Sequence, residues 1–188
     1  MDTSRAGRQL RLIAEVLAAS AGCGVPVWLR GGWAMDFFLG EVTRDHRDID
    51  WFAWVDDAER LGAELAGRGY RRVAGLPPEQ QVDLVKDGED LSFNLLRRDA
   101  SGRVVVGGGL WAGSPWPQDL LEPHTGRIGD LLCPIIAPRA QIEIKRMMPV
   151  WVPGSPRRPK DAEDIARLEA ALTPDRTPGL RTLSFEDG

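Results

Sequence analysis

The sequence contains few cysteines and no long hydrophobic run. Cys23 and Cys133 are its 2 cysteines, and their spacing fits neither a zinc site nor a disulfide framework. We expect both thiols to stay reduced, as they do in cytoplasmic proteins. No apolar run approaches the length that spans a membrane, and residues 1–5 lack the apolar stretch of a signal peptide. These absences predict a cytoplasmic protein without a membrane segment.

Positive charge is not in excess either. The formal net charge is -4 and the pI is about 5.3, which argues against a broad electrostatic attraction to nucleic acid. A mildly acidic protein is compatible with a cationic small-molecule partner. The length of 188 residues fits one domain, and a hydrophobic fraction of 43% is ordinary for a globular protein.

Hydrophobic periodicity and turn signals predict an α/β (α+β) chain. We expect a helix capped by Thr3 or Ser4, one at residues 57–66 capped by the side chain of Asp56 or Asp57, and others at 33–39, 141–148 and 160–172. Strands are expected at 25–29, 49–55, 70–73, 82–86, 91–96, 103–106 and within 126–136. Asp87-Gly88 is a hairpin signal between two of these strands. Residues 1–172 are expected to form one domain, and residues 173–188 a loose C-terminal tail.

A glycine- and tryptophan-rich stretch interrupts this pattern at residues 107–117. Its composition excludes regular secondary structure and predicts an irregular loop. Two interpretations of the tryptophan rings stay open. Either they pack in the core, or they line a pocket for a substrate or a nucleotide base.

One stretch carries the strongest functional signal. A short apolar run that begins at Val27 ends in Gly31-Gly32, and an apolar segment typical of a helix follows at once. Paired glycines let backbone N–H groups approach a phosphate closely, at the point where a helix N-terminus favours negative charge. We therefore expect Gly31 and Gly32 to bind a nucleotide.

Two carboxylates open the next apolar run. Side chains alternate between the faces of a strand, so Asp48 and Asp50 point the same way while Ile49 points into the core. Two like charges so close together are unfavourable unless a cation lies between them. Magnesium prefers a few carboxylates together with phosphate oxygens. The pair, placed after a Gly-Gly turn, predicts metal-dependent chemistry on a nucleotide.

These motifs resemble the signature of the aminoglycoside and lincosamide nucleotidyltransferases. The residues that carry the resemblance are Gly31-Gly32-Trp33-Ala34-x-Asp36 and Thr43-Arg44-x-His46-x-Asp48-Ile49-Asp50. The resemblance implies a nucleotidyltransferase fold, in which helices flank a small mixed β-sheet. It also implies that Mg2+ or Mn2+ on Asp48 and Asp50 supports transfer of a nucleoside monophosphate from ATP to a hydroxyl. The acceptor would be a small cationic molecule such as an aminoglycoside-like antibiotic, and pyrophosphate would be released.

Further residues are assigned to the nucleotide with alternatives left open. Arg44 either touches a triphosphate oxygen or neutralises Asp45 or Asp36. Lys145 or Lys160 supplies a phosphate-binding lysine, unless this basic region is a solvated face. Asp36 is expected to be structural, because the dipole of the short helix alone favours an acid near its N-terminus.

The third carboxylate of the family has no direct counterpart. Its position in the strand at residues 91–96 holds Ser92, which cannot act as a general base near neutral pH. Asp90 shares one face with Ser92 and is our candidate for the third catalytic residue. Glu89 and Asp83 are weaker substitutes, and a surface turn is the alternative interpretation of Asp90.

Three functions remain in competition. The first is an enzyme that nucleotidylates a small hydroxylated molecule, and the second transfers the nucleotide to RNA or protein. The low pI and the absence of a basic stripe count against RNA. The third is a nucleotide-binding module that has lost turnover, which the serine at position 92 motivates.

Overall fold

A computed structural model describes residues 4–152, 154, 156 and 158–173. Its helices are α1 Arg5–Cys23, α2 Gly31–Leu39, α3 Ala58–Gly67, α4 Pro138–Trp151 and α5 Pro159–Leu172. Its strands are β1 Val27–Arg30, β2 Asp48–Trp54, β3 Arg71–Arg72, β4 Gln81–Lys86, β5 Glu89–Arg98, β6 Val104–Val106, β7 His124–Ile128 and β8 Leu131–Ile135. Short 3-10 helices cover Val55–Asp57 and Gly109–Trp111.

The strands form one mixed sheet in the order β3-β4-β5-β2-β1-β8-β7, and β6 pairs with β5. The carboxylate-bearing strand β2 is central. It runs antiparallel to β1 and parallel to β5, and β1 also runs parallel to β8. A small mixed sheet with flanking helices is the architecture that the family resemblance implied.

One face of the sheet carries the main hydrophobic core. Ile49 and Trp51 of β2 are each 0% exposed, and they share this core with buried side chains of α1 and α3. Both helices are amphipathic, as their spacing predicted: α1 buries Ile13 and Val16, and α3 buries Leu61 and Leu65. The alternation of β2 thereby fixes Asp48 and Asp50 on the opposite face.

The opposite face divides into a polar end and an apolar end. Farther along β2 from the carboxylates, Phe52 lies in a second buried cluster with residues of β5 and α4. A third cluster joins Met35 of α2, Ile142 of α4 and Leu168 of α5. These contacts bring α4 and α5 over the sheet beside the carboxylates.

Most predicted elements are confirmed, and their ends differ for identifiable reasons. The turn between β4 and β5 has positive φ at Asp87 and Gly88, 53° and 76°, as a type I′ hairpin requires. Helix α2 begins at Gly31 rather than Trp33, so the paired glycines form its first turn. Helix α4 begins at Pro138, because proline fits the first helical position.

The predicted side-chain cap of α3 is wrong. Asp57 occupies the N-cap position, but its backbone has φ -100° and ψ -11° and its side chain makes no capping hydrogen bond. The preceding 3-10 turn leads directly into the helix, so the extended backbone that a capping side chain needs is missing. The carboxylate of Asp57 pairs with Arg60 instead.

The remaining two predictions concern the C-terminal tail and membrane-spanning helices. Residues 174–188, most of the predicted C-terminal tail, lie outside the described residues. Within the described ranges no helix is both long and apolar enough to cross a membrane.

A buried carboxylate ties α1 to the sheet. Glu89, at the start of β5, is 2% exposed and accepts hydrogen bonds from Arg5 at 2.9 Å and Gln9 at 2.8 Å. Arg8 donates to its other oxygen at 3.0 Å. Glu89 therefore points away from Asp90 and the β2 carboxylates, and its assignment as a substitute for the third carboxylate is wrong.

The pH dependence of stability tests this anchor. Burial raises the pKa of Glu89, but the hydrogen bonds from Arg5, Gln9 and Arg8 outweigh burial and leave that pKa below its ordinary 4.5. Ionised Glu89 thus stabilises the fold above pH 4.5, and this stabilisation is lost as the pH falls through the lowered pKa.

We expect Glu89→Gln to reduce the free energy of unfolding by about 2 kcal/mol at neutral pH, because charge-assisted hydrogen bonds are lost. Urea unfolding of both proteins, repeated at acid pH, checks this. The difference should shrink in acid, and a difference that is independent of pH would contradict the role given to the ionised carboxylate.

Candidate active site

The two carboxylates of β2 stand at the end of the sheet. Asp48 is the more exposed of the two and Asp50 is half-buried, with Ile49 in the core between them. In the sheet register Asp50 lies between Arg30 of β1 and Ser92 of β5, and Asp48 lies beside Asp90. The Ser92 hydroxyl donates to Oδ1 of Asp50 at 2.8 Å. This hydrogen bond fixes the orientation of the Asp50 carboxylate.

The pair suits a divalent cation. Partial burial and, next, the neighbouring charge of Asp50 raise the pKa of Asp48, so the ionised form is disfavoured unless positive charge is near. No group of three or more acidic, histidine or cysteine side chains that could hold a metal occurs among the described residues. A cation held by Asp48 and Asp50 would therefore need oxygen ligands from the substrate, as magnesium in nucleotide sites commonly has.

Gly31 forms the turn from β1 into α2 against Asp50. Its φ is +70°, and a Cβ at this position would lie 2.8 Å from Oδ2 of Asp50. Both the backbone angle and the contact require glycine. The N-cap residue, Arg30, makes no side-chain capping hydrogen bond to the first turn of α2. The first N–H groups of this helix are therefore suited to a phosphate ligand.

The sequence explained Gly32 by the close approach of a phosphate, whereas in the structure neighbouring side chains leave no room for a Cβ. A Cβ on Gly32 would lie 2.4 Å from Nδ1 of His46 and 2.9 Å from Nη2 of Arg44. The close approach at this glycine is made by a buried imidazole. A substitution of Gly32 would therefore disturb folding as well as any phosphate contact, so it is a poor test of nucleotide binding.

A chain of polar contacts runs from α2 to α5 behind these glycines. Nε2 of His46 lies 2.7 Å from Oδ2 of Asp36, and Nδ1 lies 3.1 Å from Nη1 of Arg44. Because arginine only donates, Nδ1 accepts and the Nε2–H donates to Asp36. Asp36 also accepts from the Thr43 hydroxyl at 2.6 Å, which closes the loop between α2 and β2. These contacts agree with the structural role predicted for Asp36.

Arg44 continues the chain to α5. Its Nη2 donates to Oδ2 of Asp164 at 3.0 Å. The interpretation that Arg44 neutralises the carboxylate of Asp45 or Asp36 is therefore wrong. Lys145 of α4 donates to the same oxygen at 2.8 Å and lies 3.4 Å from Oδ1 of Asp161. The Lys145 side chain is only 9% exposed, so the solvated-face alternative is wrong for this lysine.

Three positively charged side chains line a cavity of about 270 Å³ beside Asp50, which we call the inner cavity. It is lined by Arg30, Gly31, Asp50, Lys145, Arg158 and Asp161 together with apolar residues of α4. The pKa of Lys160 is lowered by burial and by the neighbouring charges of Arg158 and Arg44. Crowded cations of this kind favour a polyanion such as a triphosphate.

Sequence reasoning missed two members of this cluster. Arg30 directly precedes the glycines, and its contribution to the inner cavity was not predicted. Arg158 belongs to the basic turn before α5 and is fixed by Nε donation to Asp161 at 2.8 Å. The Lys160-Asp161-x-x-Asp164 helix start was the available signal for Arg158, because Asp161 orients this cation.

The structure locates the acids that were considered as the third carboxylate. Asp83 is opposite Ser92 on β4, two strands and about 10 Å from Asp50, too far to share a metal ion with it. Asp90 is exposed beside Asp48. Of the three acids that were considered, Asp90 alone adjoins the carboxylate pair, and its catalytic role stays a prediction.

A second and larger cavity adjoins the inner cavity. It measures about 740 Å³, and Arg30 and Met148 line both. We call it the aromatic cleft, because Trp111, Trp116 and Trp151 line it. Trp116 also packs edge-on against Phe52 with a centroid distance of 5.1 Å. Both interpretations of the tryptophan-rich loop thus hold in part, since its rings contribute to the core and to a pocket.

Comparison with known proteins identifies the family of the chain. The sequence profile of the aminoglycoside-2''-adenylyltransferase family matches residues 12–168. The chain belongs to this family. The family resemblance found in the sequence is confirmed, and the matched range contains the carboxylate pair, the glycine turn and Lys145.

Curated relatives of the family match over a shorter stretch. A 2''-aminoglycoside nucleotidyltransferase from Klebsiella pneumoniae is 50% identical over 50 residues, which are 27% of this chain and 26% of that protein. A protein of the same name from Escherichia coli matches to the same extent. The chain thus spans about a quarter of the length of the curated relatives it matches.

Similar solved structures confirm the fold. The crystal structure of ANT(2'')-Ia in complex with adenylyl-2''-tobramycin has a TM-score of 0.69 and 25% identity, covering 88% of this chain and 90% of that one. Lincomycin-bound LnuA, a lincosamide antibiotic adenylyltransferase, has a TM-score of 0.65 and 21% identity, covering 84% and 94%. The likeness to LnuA concerns the fold alone.

Proposed function

We propose that the protein is a metal-dependent nucleotidyltransferase that moves a nucleoside monophosphate from ATP to a hydroxyl of a small molecule. One observation carries the proposal. Asp48 and Asp50 share one face at the sheet end, and Asp50 lies against the Gly31 turn and lines the cationic inner cavity. The family supports the same reaction and points to an aminoglycoside-like antibiotic as the acceptor.

Each part of the site has a task in this reaction. Asp48 and Asp50 would hold Mg2+ or Mn2+, which would supply positive charge to stabilise the charge that develops on the phosphates. The N–H groups at the start of α2 bind phosphate oxygen, and Lys145 and Arg158 neutralise the outer phosphates. The aromatic cleft receives the acceptor, because it opens beside the inner cavity at Arg30.

The chemical step is a displacement at the α-phosphorus. The acceptor hydroxyl oxygen forms a bond to that phosphorus, and the bond to the bridging oxygen of the β-phosphate breaks, releasing pyrophosphate. The hydroxyl proton passes to a base, for which Asp90 is the candidate beside Asp48. Ser92 assists indirectly by holding the carboxylate of Asp50.

A module that binds nucleotide without turnover is the second candidate. The observation that favours it is Ser92, which occupies the position where the family usually has an acid and donates a hydrogen bond to Asp50. An RNA or protein acceptor is less favoured, since the net charge of -4 offers nucleic acid little attraction.

Calorimetry with a non-hydrolysable ATP analogue and Mg2+ tests the metal–nucleotide site. Asp48→Asn and Asp50→Asn should each weaken binding of the analogue in the presence of Mg2+ by at least about tenfold, the effect of about 1.4 kcal/mol. Asp130→Asn, at an exposed turn between β7 and β8, is the control that loses the same charge elsewhere. Unchanged binding in both site variants would remove the basis of the proposed function.

Turnover tests the assignment of the base. Asp90→Asn should lower the turnover number by roughly 10²–10⁴-fold, the usual contribution of a positioned general base, while the affinity for Mg2+ and the ATP analogue stays unchanged. Pyrophosphate release with an antibiotic acceptor measures this. Full activity of Asp90→Asn would show that Asp90 is a surface turn residue.

Ser92→Asp is the complementary variant. It places a carboxylate where a hydroxyl now lies 2.8 Å from Asp50, and we expect it to raise turnover with two metal ions available. If neither wild type nor Ser92→Asp turns over any antibiotic acceptor while both bind nucleotide, the binding module becomes the better interpretation.

A further inference from the structure

A buried glutamine of α1 contacts three elements that build the candidate site. Gln9 is 0% exposed, and a buried amide is costly unless its hydrogen bonds are satisfied. Its Oε1 accepts from the indole N–H of Trp33 at 3.0 Å. Its Nε2 donates to the backbone carbonyl of His46 at 3.3 Å and to Oε2 of Glu89 at 2.8 Å. The oxygen and the nitrogen of this amide are therefore both engaged.

Each of the three partners adjoins a different part of the site. Trp33 lies in the first turn of α2, directly after the paired glycines. His46 precedes β2 by two residues, and Glu89 opens β5 next to the candidate base. The Gln9 amide thus joins the phosphate-binding turn, the carboxylate strand and the strand of the candidate base.

Helix α1 holds the segment before β2 at a second point. Nη2 of Arg5 donates to the backbone carbonyl of Arg47 at 2.7 Å, one residue before Asp48. The Trp33 ring also lies against the imidazole of His46, with a centroid distance of 4.6 Å. Two consecutive carbonyls before β2 are therefore bound by side chains of α1, and the start of α2 packs on the same segment.

These contacts bear on the distance between the glycine turn and the carboxylate pair. Asp48 is the first residue of β2, and the ends of secondary structure open more easily than their centres. A metal ion held between the carboxylates and a phosphate at the turn requires both sides at the correct spacing. An error of about 1 Å in such a spacing can cost roughly 10²-fold in rate.

We propose that Gln9, assisted by Arg5, is a positioning residue that sets the distance between the carboxylates of β2 and the phosphate-binding turn of α2. Metal-dependent binding of a nucleotide requires this distance. Binding of a nucleotide without metal does not require it, because the phosphates then contact only the turn and the cations of the inner cavity. This consequence for binding rests on the proposed function.

Gln9→Met removes the three hydrogen bonds and keeps an unbranched side chain of similar length. Calorimetry measures binding of a non-hydrolysable ATP analogue to each variant, once with Mg2+ and once with EDTA. We expect Gln9→Met to weaken binding with Mg2+ by about tenfold, as is typical of residues that orient metal ligands, and to leave binding with EDTA unchanged. A general disturbance of the fold would instead weaken both.

Tyr70→Phe is the matched control. Tyr70 is 3% exposed, and its hydroxyl donates at 3.3 Å to the carbonyl of Leu12, which also belongs to α1. Tyr70 directly precedes β3, which lies three strands from β2 in the sheet. The control therefore loses a buried hydrogen bond of the same helix away from the site, and both affinities should stay unchanged.

Circular dichroism confirms that each variant is folded. Arg5→Met changes a side chain that is 42% exposed and removes the bond to the carbonyl of Arg47. It provides a second variant if Gln9→Met does not fold. The same pattern is expected with a smaller effect, namely weaker binding with Mg2+ and unchanged binding with EDTA.

Hydrogen exchange of the ligand-free protein tests the positioning itself. Backbone amides of residues 44–50 should exchange faster in Gln9→Met than in wild type, because this segment loses an anchor to α1. Tyr70→Phe should leave their exchange unchanged. This measurement requires neither a metal nor a nucleotide.

Three results would overturn the proposal. They are equal losses of affinity with Mg2+ and with EDTA, a loss with Mg2+ no larger than that of Tyr70→Phe, and unchanged exchange of residues 44–50 in Gln9→Met. The proposed function fails by a different result, in which Asp48→Asn and Asp50→Asn bind the analogue as wild type does. The two proposals can therefore fail separately.

Discussion

The mutual repulsion of Asp48 and Asp50 is the constraint on which the site depends. The alternation of β2 fixes both carboxylates on one face, because the intervening Ile49 is held in the core. Burial, and next the charge of Asp50, raise the pKa of Asp48. A stable arrangement needs positive charge in front of the pair, and the neighbouring elements supply it from several directions.

That positive charge is held in place by a second set of carboxylates. Asp164 orients both Arg44 and Lys145, and Asp161 orients Arg158. Each cation is therefore paired with a carboxylate of α5, which fixes its position before a ligand binds. Pre-organised charge of this kind stabilises a polyanion without the reorganisation that mobile surface lysines require.

Local patterns predicted much of the fold, and the site only in part. Alternation placed Asp48 and Asp50 correctly, and the turn signal at Asp87-Gly88 located the hairpin, because both depend on near neighbours in the chain. The neighbour of Gly32 is His46, and the partner of Arg44 is Asp164, 120 residues away. Such contacts depend on how α2, α4 and α5 pack, and periodicity in one segment carries no information about them.

The most direct test of a metal–triphosphate site at the end of β2 is anomalous diffraction. Crystals of the protein with Mn2+ and a non-hydrolysable ATP analogue are measured at the manganese absorption edge. We predict a manganese peak at about 2.1 Å from carboxylate oxygens of Asp48 and Asp50, the distance typical of small hard cations, with the triphosphate beside Gly31. A nucleotide and metal bound elsewhere, with no peak between these carboxylates, would contradict the account.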